Sequence, residues 1–244
     1  MIIKINADPV SAGTAAADLA VLKLNEAIES NREARLVVST GSSQFELFKS
    51  LISRNVDWKK VDVFHLDEYI GLPVTHKASF RKYLYERFIN HIEVRRFYPV
   101  EVEGDISRKI EELSLELTRK PVDVGLIGIG VNGHIAFNDP PADFDTQDPY
   151  IIVNLDDRCK MQQVNEGWFN SADEVPSRAV SMSVWQIMQC KTIISCVPHK
   201  VKSEAVAKSL ILKLTNTLPA TMLKYHADYN LFLDHDSASD IITF

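Results

Sequence analysis

The sequence of 244 residues predicts an α/β fold: a doubly wound, mainly parallel sheet with helices on both faces, Rossmann-like, in a single domain over residues 1–244. Three observations predict it. Short β-rich runs alternate with helical patterns from one end of the chain to the other. The run Val122-Asp123-Val124-Gly125-Leu126-Ile127-Gly128-Ile129 is almost wholly apolar, as a central strand covered on both faces must be. No repeat, low-complexity tract or long linker divides the chain, whose length suits one large hydrophobic core.

The elements follow in order. Met1 to Asn6 alternates like a strand, and Ser11 to Ser30 carries apolar residues at helical spacing, among them Ala16, Leu19, Ala20, Leu24 and Ala27. Arg35-Leu36-Val37-Val38 is a brief strand; Val61 to Leu66 is another, broken at Asp67. Ile193 to Val197 and Asn230 to Leu233 are further strands. Helices are expected over Gln44 to Ser53, Ala78 to Ile89, Ser107 to Leu117 and Lys202 to Leu212.

Composition narrows the function. Net charge is −6 and no basic block stands out, which argues against a nucleic-acid partner but leaves room for a small anion. No apolar run approaches the roughly 20 residues of a membrane span, and the first residues show no signal-peptide pattern, so a cytoplasmic location with no membrane partner is expected. Cys159, Cys190 and Cys196 form no CxxC pair and read as reduced, buried thiols.

Ligands of open α/β sheets bind beyond the carboxyl ends of strands, and four polar segments fall there. Ser39-Thr40-Gly41-Ser42-Ser43 stands between a strand and a helix, where small residues let backbone N–H groups approach an anion; the same serines also suit a plain N-cap. Asp67-Glu68-Tyr69 offers a carboxylate base, though such acids also start helices or sit in solvent. In Gly128-Ile129-Gly130-Val131-Asn132-Gly133-His134-Ile135-Ala136-Phe137-Asn138-Asp139-Pro140, three glycines force tight turns before a histidine and a carboxylate five residues on. Such a pair suits proton transfer near neutral pH. GxGxxG occurs here literally, but no second βαβ strand supplies the acid a dinucleotide ribose requires. Lys200 and Lys202 follow the strand ending at Val197, and either can pair with a phosphate or start a solvated helix. Asp234-His235-Asp236 lacks a partner cluster for a metal, and Trp168 and Trp185 read as packing residues.

These segments together resemble the glucosamine-6-phosphate deaminase/isomerase family, within the superfamily that also holds 6-phosphogluconolactonases. The likeness runs from about residue 10 to 238 and rests on residues 39–43, on Leu66-Asp67-Glu68-Tyr69 and above all on Gly133-His134-Ile135-Ala136-Phe137-Asn138. The resemblance implies that Asp67 moves the proton between C1 and C2 of an open-chain sugar. His134, flanked by Asn132 and Asp139, would open the pyranose ring; Thr40, Gly41, Ser42, Ser43, Gly133 and Lys202 would hold the substrate and its phosphate. The implied reaction gives fructose 6-phosphate and ammonia from glucosamine 6-phosphate and water, with no metal and no cofactor. The alternatives are a lactone hydrolase and a non-catalytic sugar-phosphate sensor. Whether the chain is a monomer or a homo-oligomer stays open.

The chain departs from the family pattern at three places. Asp139 stands where Glu is usual, and Asn132 where some relatives have Asp. Gly167, in Val164-Asn165-Glu166-Gly167-Trp168-Phe169, stands where many members carry a phosphate-clamping arginine, which leaves Arg158 or Arg178 as replacements.

Overall fold

A computed structural model describes residues 1–155, 157–165 and 167–242, the side chains of residues 158, 159, 162 and 242 excepted. The strands are β1 (Ile2–Asn6), β2 (Ala34–Val38), β3 (Val61–His65), β4 (Asp67–Tyr69), β5 (Arg96–Tyr98), β6 (Val124–Leu126), β7 (Tyr150–Asn154), β8 (Arg178–Met182), β9 (Thr192–Cys196) and β10 (Tyr229–Asp234). The helices are α1 (Pro9–Asn31), α2 (Phe45–Ile52), α3 (Phe80–Arg87), α4 (Ile106–Thr118), α5 (Asp157–Asn165), α6 (Val184–Ile187), α7 (Ser203–Ile211) and α8 (Ser239–Ile242).

Seven strands form a parallel sheet in the order β1-β10-β9-β6-β2-β3-β5. From β2 the chain winds outward through β3 to β5, and from β6 the other way through β9 to β10. The order therefore reverses between β2 and β6, and a crevice opens beyond their carboxyl ends. Every residue of β2, β3, β6, β9 and β10 is buried, because helices cover both faces. On one face, alanines of α1 pack with Leu47, Phe48 and Leu51 of α2 against Leu36, Val38 and Phe232. On the other, Leu117 of α4 and Val206 of α7 pack with Val37, Ile193 and Leu231. Gly13 permits the α1–α2 contact, since a Cβ there would lie 2.7 Å from the backbone of Glu46.

Local chemistry fixes the element ends. Asp8 caps α1 by accepting from Ser11 N at 2.7 Å, and Ser11 reciprocates toward the Asp8 backbone. The buried Arg35 guanidinium donates to the Leu117 and Lys120 carbonyls, setting a cation on the carboxyl end of α4.

Two features differ from the sequence reading. The apolar run at 122–129 pairs as a strand only over Val124–Leu126, after which the chain enters the loop that carries His134, turning where Gly133 N donates to Gly130 O. The chain does not simply break at Asp67. A single residue, Leu66, separates β3 from β4, which joins β8 and β7 in a second, antiparallel sheet of order β4-β8-β7. Leu66 belongs to both ladders: its N–H donates to Val38 O and its carbonyl accepts from Met182 N. Strands as short as β4 and β5 give too little periodicity for a sequence to announce them.

Candidate active site

A cleft of about 940 Å³, part of it open to solvent, lies over the crevice between β2 and β6. Its floor is the loop after β2. Thr40, Gly41, Ser42 and Ser43 all line it, with Ser39 and Gln44 at either end. Gly41 holds φ at +108°, a backbone setting that favours glycine. The plain N-cap reading of these serines does not hold: residues 42–44 form a 3-10 turn into α2, and neither that turn nor α2 has a side-chain cap. Tyr83 of α3 donates its hydroxyl to Gly41 O at 2.8 Å and pins the loop from the far side of the cleft.

Asp67 reaches the cleft at the step between the two sheets and is only 6% exposed. Burial pushes its carboxyl well above the usual aspartate range, and the negative charges of Glu68 and Asp139 push the same way. The neighbouring acid plays a different part. Glu68 does not line the cleft; fully buried, it accepts from Tyr69 N, Ser79 Oγ, Phe80 N, Arg81 N and Arg81 Nε. Arg81 also forms a two-pronged pair with Glu103 at 2.8 Å. Glu68 thus fastens the start of α3 to β4. Burial raises its pKa even so, outweighing those hydrogen bonds.

His134 faces Asp67's cleft from the loop after β6. Its ring lies against Gly130, where a Cβ would fall 2.2 to 2.4 Å from the imidazole atoms; any other residue at 130 would displace the ring. Asp139 Oδ1 lies 3.3 Å from His134 Nδ1, within ion-pair distance but without the geometry of a hydrogen bond, and Nδ1 is buried with no hydrogen-bond partner. Asn132 stands behind the ring rather than in the cleft: its Oδ1 accepts from His134 N at 3.0 Å and its Nδ2 approaches Asp139 Oδ1 at 3.5 Å. Gly133 is not among the residues lining the cleft. Its φ is +82°, an added Cβ would meet Leu218 Cδ1 at 2.4 Å, and its carbonyl accepts from Ala220 N. It shapes the turn and packs. Asn138, buried, ties this loop to β8 through Ser181 Oγ and Met182 O.

Of the two candidate lysines, Lys202 lines the cleft, whereas Lys200 pairs with Asp240 at 3.0 Å away from it. Arg178 is exposed at the start of β8 and does not line the cleft. The side chains of Arg158 and Cys159, and Glu166 altogether, lie outside the described residues. Cys190 and Cys196 are free and buried, each thiol pushed up to about 12, chiefly by burial. Asp234 serves a turn, accepting from His199 N and Ser237 N. Trp168 corrects the packing-only reading, since it lines the cleft as well as packing against the cluster around Tyr69 and Phe169. Gln44, Lys77, Ser79, Phe80, Tyr83 and Gln163 also line the cleft, and the sequence reading singles out none of them. Only Ser79 carries a usable signal, as a residue opening a helical pattern; its hydroxyl caps α3 by accepting from Lys82 N.

Titratable side chains and a short loop of small residues meeting at the switch point of a parallel sheet mark this cleft as the candidate site of a doubly wound α/β protein. Comparison with known proteins narrows the class. The chain belongs to the family described as glucosamine-6-phosphate isomerases/6-phosphogluconolactonase, whose model matches residues 7–232. It is 34% identical over 226 residues to a glucosamine-6-phosphate deaminase of Clostridium novyi, covering 89% of this chain and 92% of that protein. The corresponding protein of Thermoanaerobacter pseudethanolicus is 32% identical over 212 residues, 84% of this chain and 82% of that one. Among solved structures, a monomeric glucosamine-6-phosphate deaminase matches with a TM-score of 0.88 and 27% identity, over 98% of this chain and all of that one. The 6-phosphogluconolactonase of Trypanosoma brucei matches with a TM-score of 0.81 and 16% identity over 98% of each chain, a likeness of fold.

Proposed function

We propose that this chain converts glucosamine 6-phosphate and water to fructose 6-phosphate and ammonia. The observation that carries the reading is the shared cleft of Asp67, a buried carboxylate with a raised pKa, and His134, a histidine backed by Asp139, over the loop 40–43. A reaction made of proton transfers needs these groups.

In this reading the loop 40–43 and Lys202 take the phosphate, which fixes the sugar's reacting end near Asp67. His134 accepts the proton of the O1 hydroxyl and delivers a proton to the ring oxygen, so the C1–O5 bond breaks and the aldehyde opens. Asp139 steadies the imidazolium that forms in between. Asp67 removes the proton from C2; that electron pair forms the C1=C2 bond, the carbonyl π pair moves to O1, and O1 takes a proton from water. The resulting enolamine takes the proton back from Asp67 at C1, leaving an iminium at C2. Water adds to C2 and ammonia departs, giving the ketone. Burial serves the C2 step, because a carboxylate with a raised pKa is a stronger base once ionised.

Asp67→Asn tests the role directly. The variant is expected to lose turnover by at least a thousandfold (on the order of the general-base contribution) while still binding fructose 6-phosphate. Retained turnover would remove Asp67 as the base. A second reading, hydrolysis of a phosphorylated lactone, draws on the His134–Asp139 pair, which could activate water with no part for Asp67. In that case Asp67→Asn would keep its activity on 6-phosphogluconolactone.

A further inference from the structure

Among the described residues, Lys77 and Lys202 are the two lysine or arginine side chains that line the cleft. They come from different walls. Lys202 follows β9, while Lys77 lies in the loop between β4 and α3, two residues before the cap Ser79. Lys77 Nζ donates to the main-chain carbonyl of Gly167 at 3.0 Å. No carboxylate of the described residues lies within ion-pair distance of it, whereas Lys200, Lys208 and Lys191 each hold an acid at 3.0 Å or less. An ammonium has three donors. One of Lys77's is spent on a neutral carbonyl, so its charge faces the cleft uncompensated, with donors to spare.

The partner position is open in its own right. Gly167 holds φ at +81°, and nothing lies within 4 Å of where its Cβ would be. No side chain at 167 reaches over the cleft, and Lys77 crosses from the α3 side to rest on that carbonyl. In a chain of net charge −6, capture of a phosphate dianion requires cations concentrated at the site.

We propose that Lys77 is a second phosphate-binding cation, which closes on the phosphate opposite Lys202 and the loop 40–43 and supplies from the α3 side the positive charge that position 167 lacks. The proposal deepens the sugar-phosphate reading and rests on it for the identity of the substrate, but not for the anion itself. The surroundings of Lys77 suit this role. The cap Ser79 and Phe80 line the same cleft, and Tyr83 on the first turns of α3 bonds Gly41. The segment carrying Lys77 is therefore tied to the loop that would hold the anion's other side.

Lys77→Met and Lys77→Arg test it. Steady-state kinetics with glucosamine 6-phosphate are paired with calorimetric titration of inorganic phosphate and with binding of unphosphorylated glucosamine. Loss of one charge-assisted bond predicts about a tenfold to hundredfold rise in KM and in the phosphate dissociation constant for Lys77→Met, with far less change in kcat. Lys77→Arg should recover most of that affinity, and binding of unphosphorylated glucosamine should not move. Unchanged phosphate affinity in Lys77→Met would overturn the proposal. So would an equal loss for phosphorylated and unphosphorylated sugar, which would reduce Lys77 to a strut under Gly167. An inert wild type whose phosphate binding still weakens in Lys77→Met would remove the deaminase reading and leave the role of Lys77 standing.

Discussion

Asp67 is ionised less readily than an aspartate in water because burial and two like charges, Glu68 and Asp139, act on it together. That arrangement costs stability. Between the ordinary aspartate value of about 4 and the raised native value, the unfolded chain releases a proton that the folded chain keeps, so stability falls as pH rises through that interval and stays lowered above it. Asp67→Asn removes the penalty and is expected to raise the melting temperature at neutral pH even as it ends turnover; a lowered melting temperature would show that the carboxylate is compensated by contacts an amide cannot make. Among single residues, much of what lines the candidate cleft is legible in the sequence. Asp67, His134 and the loop 40–43 announced themselves by residue type at strand ends, and Gly130 by the turn it makes beneath the ring. Lys77, Gln163 and Trp168 did not, because a lysine, a glutamine or a tryptophan on a loop or helix carries no local pattern that says which cleft it faces.

Among the elements, the candidate site depends on one short piece of chain that periodicity could not reveal. The strand β4 exists because Leu66 hands the chain from the parallel sheet to the antiparallel one, and this step sets Asp67 over the carboxyl ends of the parallel strands. Glu68, one residue on, then fastens α3 through its hydrogen bonds and the Arg81 ion pair. Glu68→Gln would place an amide N–H₂ among donors. It is expected to destabilise the fold by about 3–5 kcal/mol, the cost of breaking a buried pair, with the loss read as a lower midpoint in urea unfolding. Removing the Glu68 charge also lowers the pKa of Asp67, so the acid limb of the kcat/KM profile should move to lower pH. An unchanged limb would mean that Glu68 does not act on Asp67. The sequence reading placed the adjacent acids at a strand end and needed only one in the cleft; which one followed from the turn into β4, a tertiary fact.

Across the whole molecule, the two halves of the sheet wind outward from β2 and β6, and the site sits where they part. The mainly parallel sheet with helices on both faces is legible in the alternation of strands and helices and in the apolar run at 122–129, whereas the strand order is not, nor is the antiparallel sheet β4-β8-β7, in which β4 pairs with a strand more than a hundred residues away. The interior also carries a pH signature. His65, at the end of β3, is fully buried, its Nδ1 accepting from Val100 N, and burial with the nearby Arg81 charge lowers its pKa to about 3. As pH falls below about 6.5, the unfolded chain protonates this histidine while the folded chain does not. Stability then declines by up to about 1.4 kcal/mol per pH unit until the folded value is reached. The raised carboxyls of Asp67 and Glu68 act with the opposite sign over the same interval, so the histidine is read as a difference: across pH 7 to 4, urea unfolding of His65→Asn should lose less stability, or gain more, than the wild type, and parallel pH curves for the two would place the acid sensitivity elsewhere.

Deamination by this cleft is best tested by incubating the protein with glucosamine 6-phosphate and measuring ammonia and fructose 6-phosphate together, beside His134→Ala. Equal amounts of both products are expected from the wild type, with near-complete loss in the variant. Absence of both products from folded wild-type protein, or an undiminished rate in His134→Ala, would contradict the assignment.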